Sequence, residues 1–233
     1  APLTITGITQ SGTGNVSVNN TGNISITGTV AGGSNNVSLT SSGTLAESGS
    51  GLISGALLTT NSVGGQTLNG ANAVSSFNAT NTTSGNIAFI NTAAPLTITG
   101  ISQTGGGNVT VNNTGALTTS GAITTAANGT ISLTSSGTQT LGAAVTAGGS
   151  GTVGLTANGA TSDILVNANV GSTSGAVTAL AGRNVTLNAG NISTSGNINL
   201  TATAGAVSEA GAGLLSGALL TTSSATGTTL GNA

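Results

Sequence analysis

Ala94-Pro95-Leu96-Thr97-Ile98-Thr99-Gly100-Ile101 restates Ala1-Pro2-Leu3-Thr4-Ile5-Thr6-Gly7-Ile8, and Gly107-Asn108-Val109-Thr110-Val111-Asn112-Asn113 restates Gly14-Asn15-Val16-Ser17-Val18-Asn19-Asn20. The offset through this stretch is a constant 93 residues. A chain that copies itself this closely is a repeat array, and the repeat decides the fold before any single side chain does.

A finer period lies beneath the long one. Ile87, Val109, Ile131 and Val153 each open a short alternating run and stand 22 residues apart; Val177, Ile198 and Leu219 continue at 24, 21 and 21, and Val16 and Val37 are 21 apart. Within each run Val, Ile or Leu alternates with Thr, Ser or Asn, the period-two signature of a half-buried strand. Gly and Asn between the runs tolerate tight corners. A unit of about 22 residues is too short to bury a core alone, but suits one coil of a parallel β-helix that hydrogen-bonds to its neighbours about 4.8 Å away. The expected fold is all-β: a single-chain β-solenoid of roughly ten or eleven coils and about 50 Å of rod.

The long repeat then divides the chain into copies 1–93 and 94–233 of one continuous solenoid. Gly51-Leu52-Ile53-Ser54-Gly55-Ala56-Leu57-Leu58 returns as Gly213-Leu214-Leu215-Ser216-Gly217-Ala218-Leu219-Leu220, now at an offset of 162. Leu45 matches Val207 and Glu47 matches Glu209, so residues 139–206 read as an insert, close to three coils long. Whole coils keep a stack in register. Pro95 reads as a corner where a residue lacking an N–H begins a strand, and no break is expected at Thr92 to Pro95. At Ala233 the first copy would continue with Val74, so the array is expected to run on in a longer polypeptide. One irregularity is expected: Leu57 and Ile87 are 30 apart, which suggests a loop or a side-strand protruding near Ser62 to Gly70 or Asn78 to Ser84. Phe77 and Phe89, the only aromatics, flank that region and read as core filling.

Composition restricts function. Charged residues make up 2% of the chain, there is no Cys or His, and the full charged inventory is Glu47, Asp163, Arg183 and Glu209. A nucleic-acid partner would require a Lys/Arg stripe against phosphates, and the single cation is Arg183. No apolar run approaches the length of a transmembrane helix, and no aromatic girdles suggest a membrane barrel. Zinc ligands are missing, the Asp-bearing repeats of calcium-binding β-rolls do not occur, and no cofactor is expected. The catalytic reading is no enzyme, because proton transfer and nucleophilic attack need groups this chain scarcely has. Asp163 and Arg183, 20 residues apart, read as an ion pair between neighbouring coils. Asn15, Asn86, Asn108 and Asn197, each following Gly, read as corner residues, bonding to the copies above and below or serving as left-handed turns. Asn-x-Ser/Thr triplets such as Asn15-Val16-Ser17 and Asn184-Val185-Thr186 follow from composition alone and become glycan acceptors only in a suitable secretory pathway. One Arg, no Lys and two Phe leave common proteases few cleavage points, which suits an extracellular chain.

Short Val/Ile/Leu strands between Gly-Asn corners, a coil of about 22 residues and near absence of charge resemble the repeat regions of filamentous-haemagglutinin-like exoproteins. The run Leu68-Asn69-Gly70-Ala71-Asn72-Ala73-Val74-Ser75-Ser76-Phe77-Asn78-Ala79, followed by Ser84-Gly85-Asn86-Ile87-Ala88-Phe89, is similar to a stretch of giant bacterial β-strand-repeat surface proteins. That resemblance implies a right-handed parallel β-helix, secretion to the cell surface, and roles in adhesion, biofilm or filaments. The leading expectation is a structural or adhesive segment of a secreted surface fibre that self-associates end to end or laterally. A second expectation is an ice- or carbohydrate-binding solenoid using outward Thr at Thr4/Thr6, Thr97/Thr99 and Thr201/Thr203 to engage ice or glycans. A third is a passive spacer.

Overall fold

The computed structural model describes residues 1–231; the continuation expected from Ala233 lies outside them. Among these residues every regular element is a strand and every strand pairing is parallel. The chain winds as a β-solenoid of about ten coils, each of about 22 residues. Three ladders run its length, giving three faces. The first face stacks Leu3–Ile5, Ile24–Ile26, Leu45–Glu47, residues 66–68 and Ile87–Asn91, then Val109–Asn113 and onward to Leu219–Ser224. The second runs from Ile8–Thr9 through Leu117–Thr119, Gln139–Leu141, Ile164–Val166 and Val185–Leu187 to Gly227–Thr229. The third runs from Val16–Asn20 through Ile123–Thr125 and Val170–Ser172 to Leu215–Ser216.

Alternation explains the core. In Ile131–Ser135, Ile131, Leu133 and Ser135 are buried and Ser132 and Thr134 are not. Coil upon coil, inward side chains form aliphatic ladders, such as Ile87, Val109, Ile131, Val153, Val177 and Ile198 on the first face. The rung after Ile198 belongs to Leu220, one residue beyond the Leu219 expected from spacing, because Asn197 takes Leu219 as its partner.

No loop protrudes between Asn61 and Thr83. The chain instead forms two of its longest strands, Leu52–Ser62 and Gln66–Asn81, bent around corners without interruption. The spacing of 30 compared residues on different faces: Leu58 extends the third face above Val37, whereas Ile87 extends the first above Gln66. Leu45, Gln66 and Ile87 follow one another at the ordinary coil interval. Phe77 and Phe89 are both fully buried here and stack with ring centroids 4.0 Å apart and planes 15° from parallel.

Backbone pairing passes through the start of the second copy. The Thr92 N–H donates to the Asn72 carbonyl, the Leu96 N–H to that of Ala116, and Ile98 pairs with Phe77 below and Thr119 above. Gln139, Ile164, Val185 and Val207 occupy successive rungs of the second face, so the segment from Gln139 to Ala206 spans three whole coils.

The long repeat is not a whole number of coils. Leu3–Ile5 lies on the first face but its copy, Leu96 to Ile98, lies on the second. Ile8 is on the second face and its copy Ile101 on the third; Val16 is on the third and its copy Val109 on the first. Ninety-three residues therefore advance the helix by four turns and one face, and the second copy is turned by one side of the rod. The five-residue strands move with it, from the third face at Val16–Asn20 and Val37–Ser41 to the first from Ile87–Asn91 onward. The bent strand Gln66–Asn81 and the two rings lie where this changeover occurs.

Corners bring backbones close enough to require glycine. A Cβ on Gly28 would lie 1.9 Å from the Thr6 carbonyl oxygen, and one on its copy Gly121 1.9 Å from that of Thr99, the copy of Thr6. We expect Gly121→Ala to cost about 1–3 kcal/mol through forced overpacking, whereas Gly154→Ala, whose added carbon meets only ordinary contacts, leaves the urea midpoint nearly unchanged.

Candidate functional site

The corner asparagines act through their side-chain oxygens. Asn15 Oδ1 accepts the Asn36 N–H at 3.1 Å, Asn86 Oδ1 the Asn108 N–H at 2.9 Å, and Asn108 Oδ1 the Thr130 N–H at 2.9 Å. Each carbonyl extends the parallel ladder by one bond past the end of the strand, where the turning backbone can no longer supply an acceptor. The amides of Asn15, Asn86 and Asn108 thus bond to the next coil, through its backbone N–H, whereas a left-handed backbone does not explain these positions: the only non-glycine residue with positive φ among the described residues is Ala127. Asn197 is exposed and opens the strand Asn197–Ala202.

Asp163 and Arg183 occupy the same device with charge added. Arg183 donates from Nε to Asp163 Oδ1 at 2.8 Å and from Nη2 to Oδ2 at 2.5 Å, a two-pronged pair. Asp163 Oδ1 also accepts the Asn184 N–H and side-chain amide, each at 3.0 Å. Asp163 precedes Ile164 at the corner leading into the second face, as Asn184 precedes Val185, so the carboxylate takes the place of a corner asparagine. The Arg183 hydrogen bond, helped by those from Asn184, holds the Asp163 carboxyl below its ordinary range.

Glu47 is the opposite case. It follows Ile26 on an inward rank of the first face. Its Oε2 accepts the Gly70 N–H at 2.7 Å and an amide hydrogen of Asn72 at 3.1 Å, while Oε1 is buried without a partner. Burial pushes its pKa up. Its copy Glu209 sits one face away, paired with Leu187, so the two carboxylates do not share a site.

The two carboxyls set opposite pH dependences. Asp163, depressed in the folded state, contributes stability that is present above its unfolded pKa of about 3.9 and is lost as pH falls through the lower folded value. Glu47, raised in the folded state, contributes stability that is complete below its unfolded pKa of about 4.3 and is lost as pH rises through the folded value. Thermal melts across pH 2–9 should show Asp163→Asn losing the acid-side slope and Glu47→Gln losing the slope above pH 4. A slope unchanged in both variants would contradict these assignments.

Reading Asn only as a corner residue missed two interior polar ranks. At the end of the third face, Ser62, Asn81, Gln103 and Thr125 stack inward; Ser62 donates to Asn81 Oδ1 at 2.8 Å, and Asn81 donates to Gln103 Oε1 at 3.0 Å and to the Ser84 carbonyl at 2.7 Å. At the end of the first, Asn72, Asn91, Asn113 and Ser135 do likewise, with Asn91 donating to Asn113 Oδ1 at 2.9 Å and Asn113 to the Ala116 carbonyl at 2.8 Å. These donors satisfy turn carbonyls that point into the rod. The signal was available: strict alternation in Ile87-Ala88-Phe89-Ile90-Asn91 puts Asn91 inside.

No three His, Cys, Asp or Glu residues gather where a metal could bind among the described residues, and no helix there is long and apolar enough to cross a membrane. The Thr pairs are dispersed: Thr4 and Thr201 stand on the first face and Thr97 on the second, so they form no common rank. Two shallow grooves of about 250 and 180 Å³ run beside the five-residue strands, lined by Asn, Thr and Ser together with Val63 in the first and Ile90 in the second. No family model, characterised protein or solved structure matches the chain.

Proposed function

We propose that the chain is a structural and adhesive segment of a secreted, extracellular surface fibre, and that it has no catalytic role. What carries this reading is that the side-chain hydrogen bonds at the corners and in the interior hold one coil to the next, from the corner asparagines to the buried amide ranks and the Asp163–Arg183 pair. Length is set by adding coils, as the three from Gln139 to Ala206 illustrate. The faces carry hydroxyls and amides instead of charge, so cohesion and surface chemistry change little with salt. Within the fibre, copies associate with one another end to end or laterally.

Electron microscopy of concentrated protein tests this: filaments of constant width are expected, with little change between low and molar salt. A species that stays monomeric at every concentration and binds no surface would sink the proposal. The ice-binding alternative is weakened by the dispersed Thr pairs, and thermal hysteresis would revive it.

A further inference from the structure

The two grooves share a repeated part of their linings and differ in the rest, Asn61 and Val63 flanking the first and Ile90 and Asn158 the second. Asn19-Asn20-Thr21 in the first lining returns as Asn112-Asn113-Thr114 in the second. Thr40-Ser41-Ser42 returns likewise as Thr134-Ser135-Ser136. Because the second copy is turned by one face, the first groove follows the end of the third face and the second the end of the first.

Each groove has a tied floor and a free wall. On the floor, Asn20 donates to the carbonyls of Ala1 and Asn23, and Ser41 to those of Gly22 and Thr44. In the second copy Asn113 donates to Ala116 and Ser135 to Gly137. The wall residues, Asn19, Thr40 and Asn61 in one groove and Asn112 and Thr134 in the other, form no side-chain hydrogen bond within the chain. They stand in register on consecutive coils, presenting a donor or acceptor about every 4.8 Å along the rod.

We infer that these grooves are twin binding sites for an uncharged, linear polysaccharide lying along the rod. Neither lining holds a charged residue, so an ionic ligand gains nothing there. A peptide strand has no open backbone edge to join on a lateral face, because each coil's ladder is spent on its neighbours. Amides and hydroxyls that both donate and accept match a chain of sugar hydroxyls, with the Thr methyls against its apolar ring faces. Two sites on different faces cannot grip one straight polymer together, so the protein cross-links polymers. This assignment builds on the adhesive half of the fibre reading.

The test uses the 233-residue chain with soluble glucan, galactan and mannan, followed by calorimetry and turbidity. At least one polymer is expected to bind at two sites per chain and to precipitate. Asn112→Ala with Thr134→Val should reduce the stoichiometry to one and abolish precipitation while binding persists; Asn19→Ala with Thr40→Val should do the same; all four together should abolish binding. Thr118→Val, on the second face, controls for general loss of hydroxyls and should change nothing, and circular dichroism confirms that each variant folds. The inference is overturned by no binding to any of the three polymers, by binding that survives all four substitutions, or by variants that lose lateral self-association instead. Filaments that form normally in those cases leave the fibre reading standing.

Discussion

Deleting residues 139–206 should leave a folded, cooperative rod shorter by three coils, about 14 Å. The deletion joins Thr138 to Val207, and Val207 then takes the rung above Leu117 that Gln139 now holds. Inward positions downstream stay inward, and Glu209 keeps the alternation that Leu141 had. Deleting only residues 139–149 removes part of a coil. Every later strand would then meet the wrong partner, and in a structure where one residue of slip turns buried side chains outward, the apolar ladders from Val153 onward would be exposed. We expect the first variant to unfold in urea with a sharp transition and to show its shortened length by small-angle scattering, and the second to aggregate or to lose its ordered C-terminal half. Equal behaviour of the two would refute the coil as the unit of the fold.

Phe77→Ala should be the most damaging single substitution. The ring is fully buried between Leu58 and Ile98 and stacks on Phe89, and truncation of a buried aromatic costs about 3–5 kcal/mol. In a linear stack stability is carried by contacts between neighbours, so a weak interface is felt locally. Urea unfolding of the variant should separate into two transitions, one for the coils on each side of Phe77. Phe77→Leu should cost less and unfold in one step. A single, barely shifted transition for Phe77→Ala would show that the aromatic pair does not bind the two halves together.

The coil was legible because period-two alternation and the 22-residue spacing are backbone requirements written directly into side-chain type. Ile131-Ser132-Leu133-Thr134-Ser135 could be placed in a strand, inward and outward faces assigned, without coordinates. The number of faces was not, since corners in a solenoid are marked by the same Gly and Asn whether a coil has two sides or three. Comparing Leu57 with Ile87 across two faces therefore suggested a loop that does not exist. The turn of the second copy was hidden for the same reason: identical residues fit any face, and only pairing partners reveal which one they occupy.

The candidate site was less legible than the fold. Asn15, Asn86 and Asn108 stood out by following Gly, yet the mode of bonding, a side-chain oxygen accepting the next coil's N–H, depends on corner geometry that composition does not specify. Asn81 and Asn91 were hidden by the habit of reading asparagine as exposed; each lies in a buried rank where an orphaned turn carbonyl is the reason for an amide. The grooves emerge only when the copies are placed on their separate faces, for Asn19 and Asn112 look like any other outward polar residue until both linings are known.

Fibre diffraction from oriented filaments of this chain tests the central claim, an axial rod extended by stacking coils end to end. A meridional reflection near 4.8 Å, parallel to the filament axis, is predicted. Filaments without an axial spacing near 4.8 Å, or with that spacing running across the axis, would contradict it.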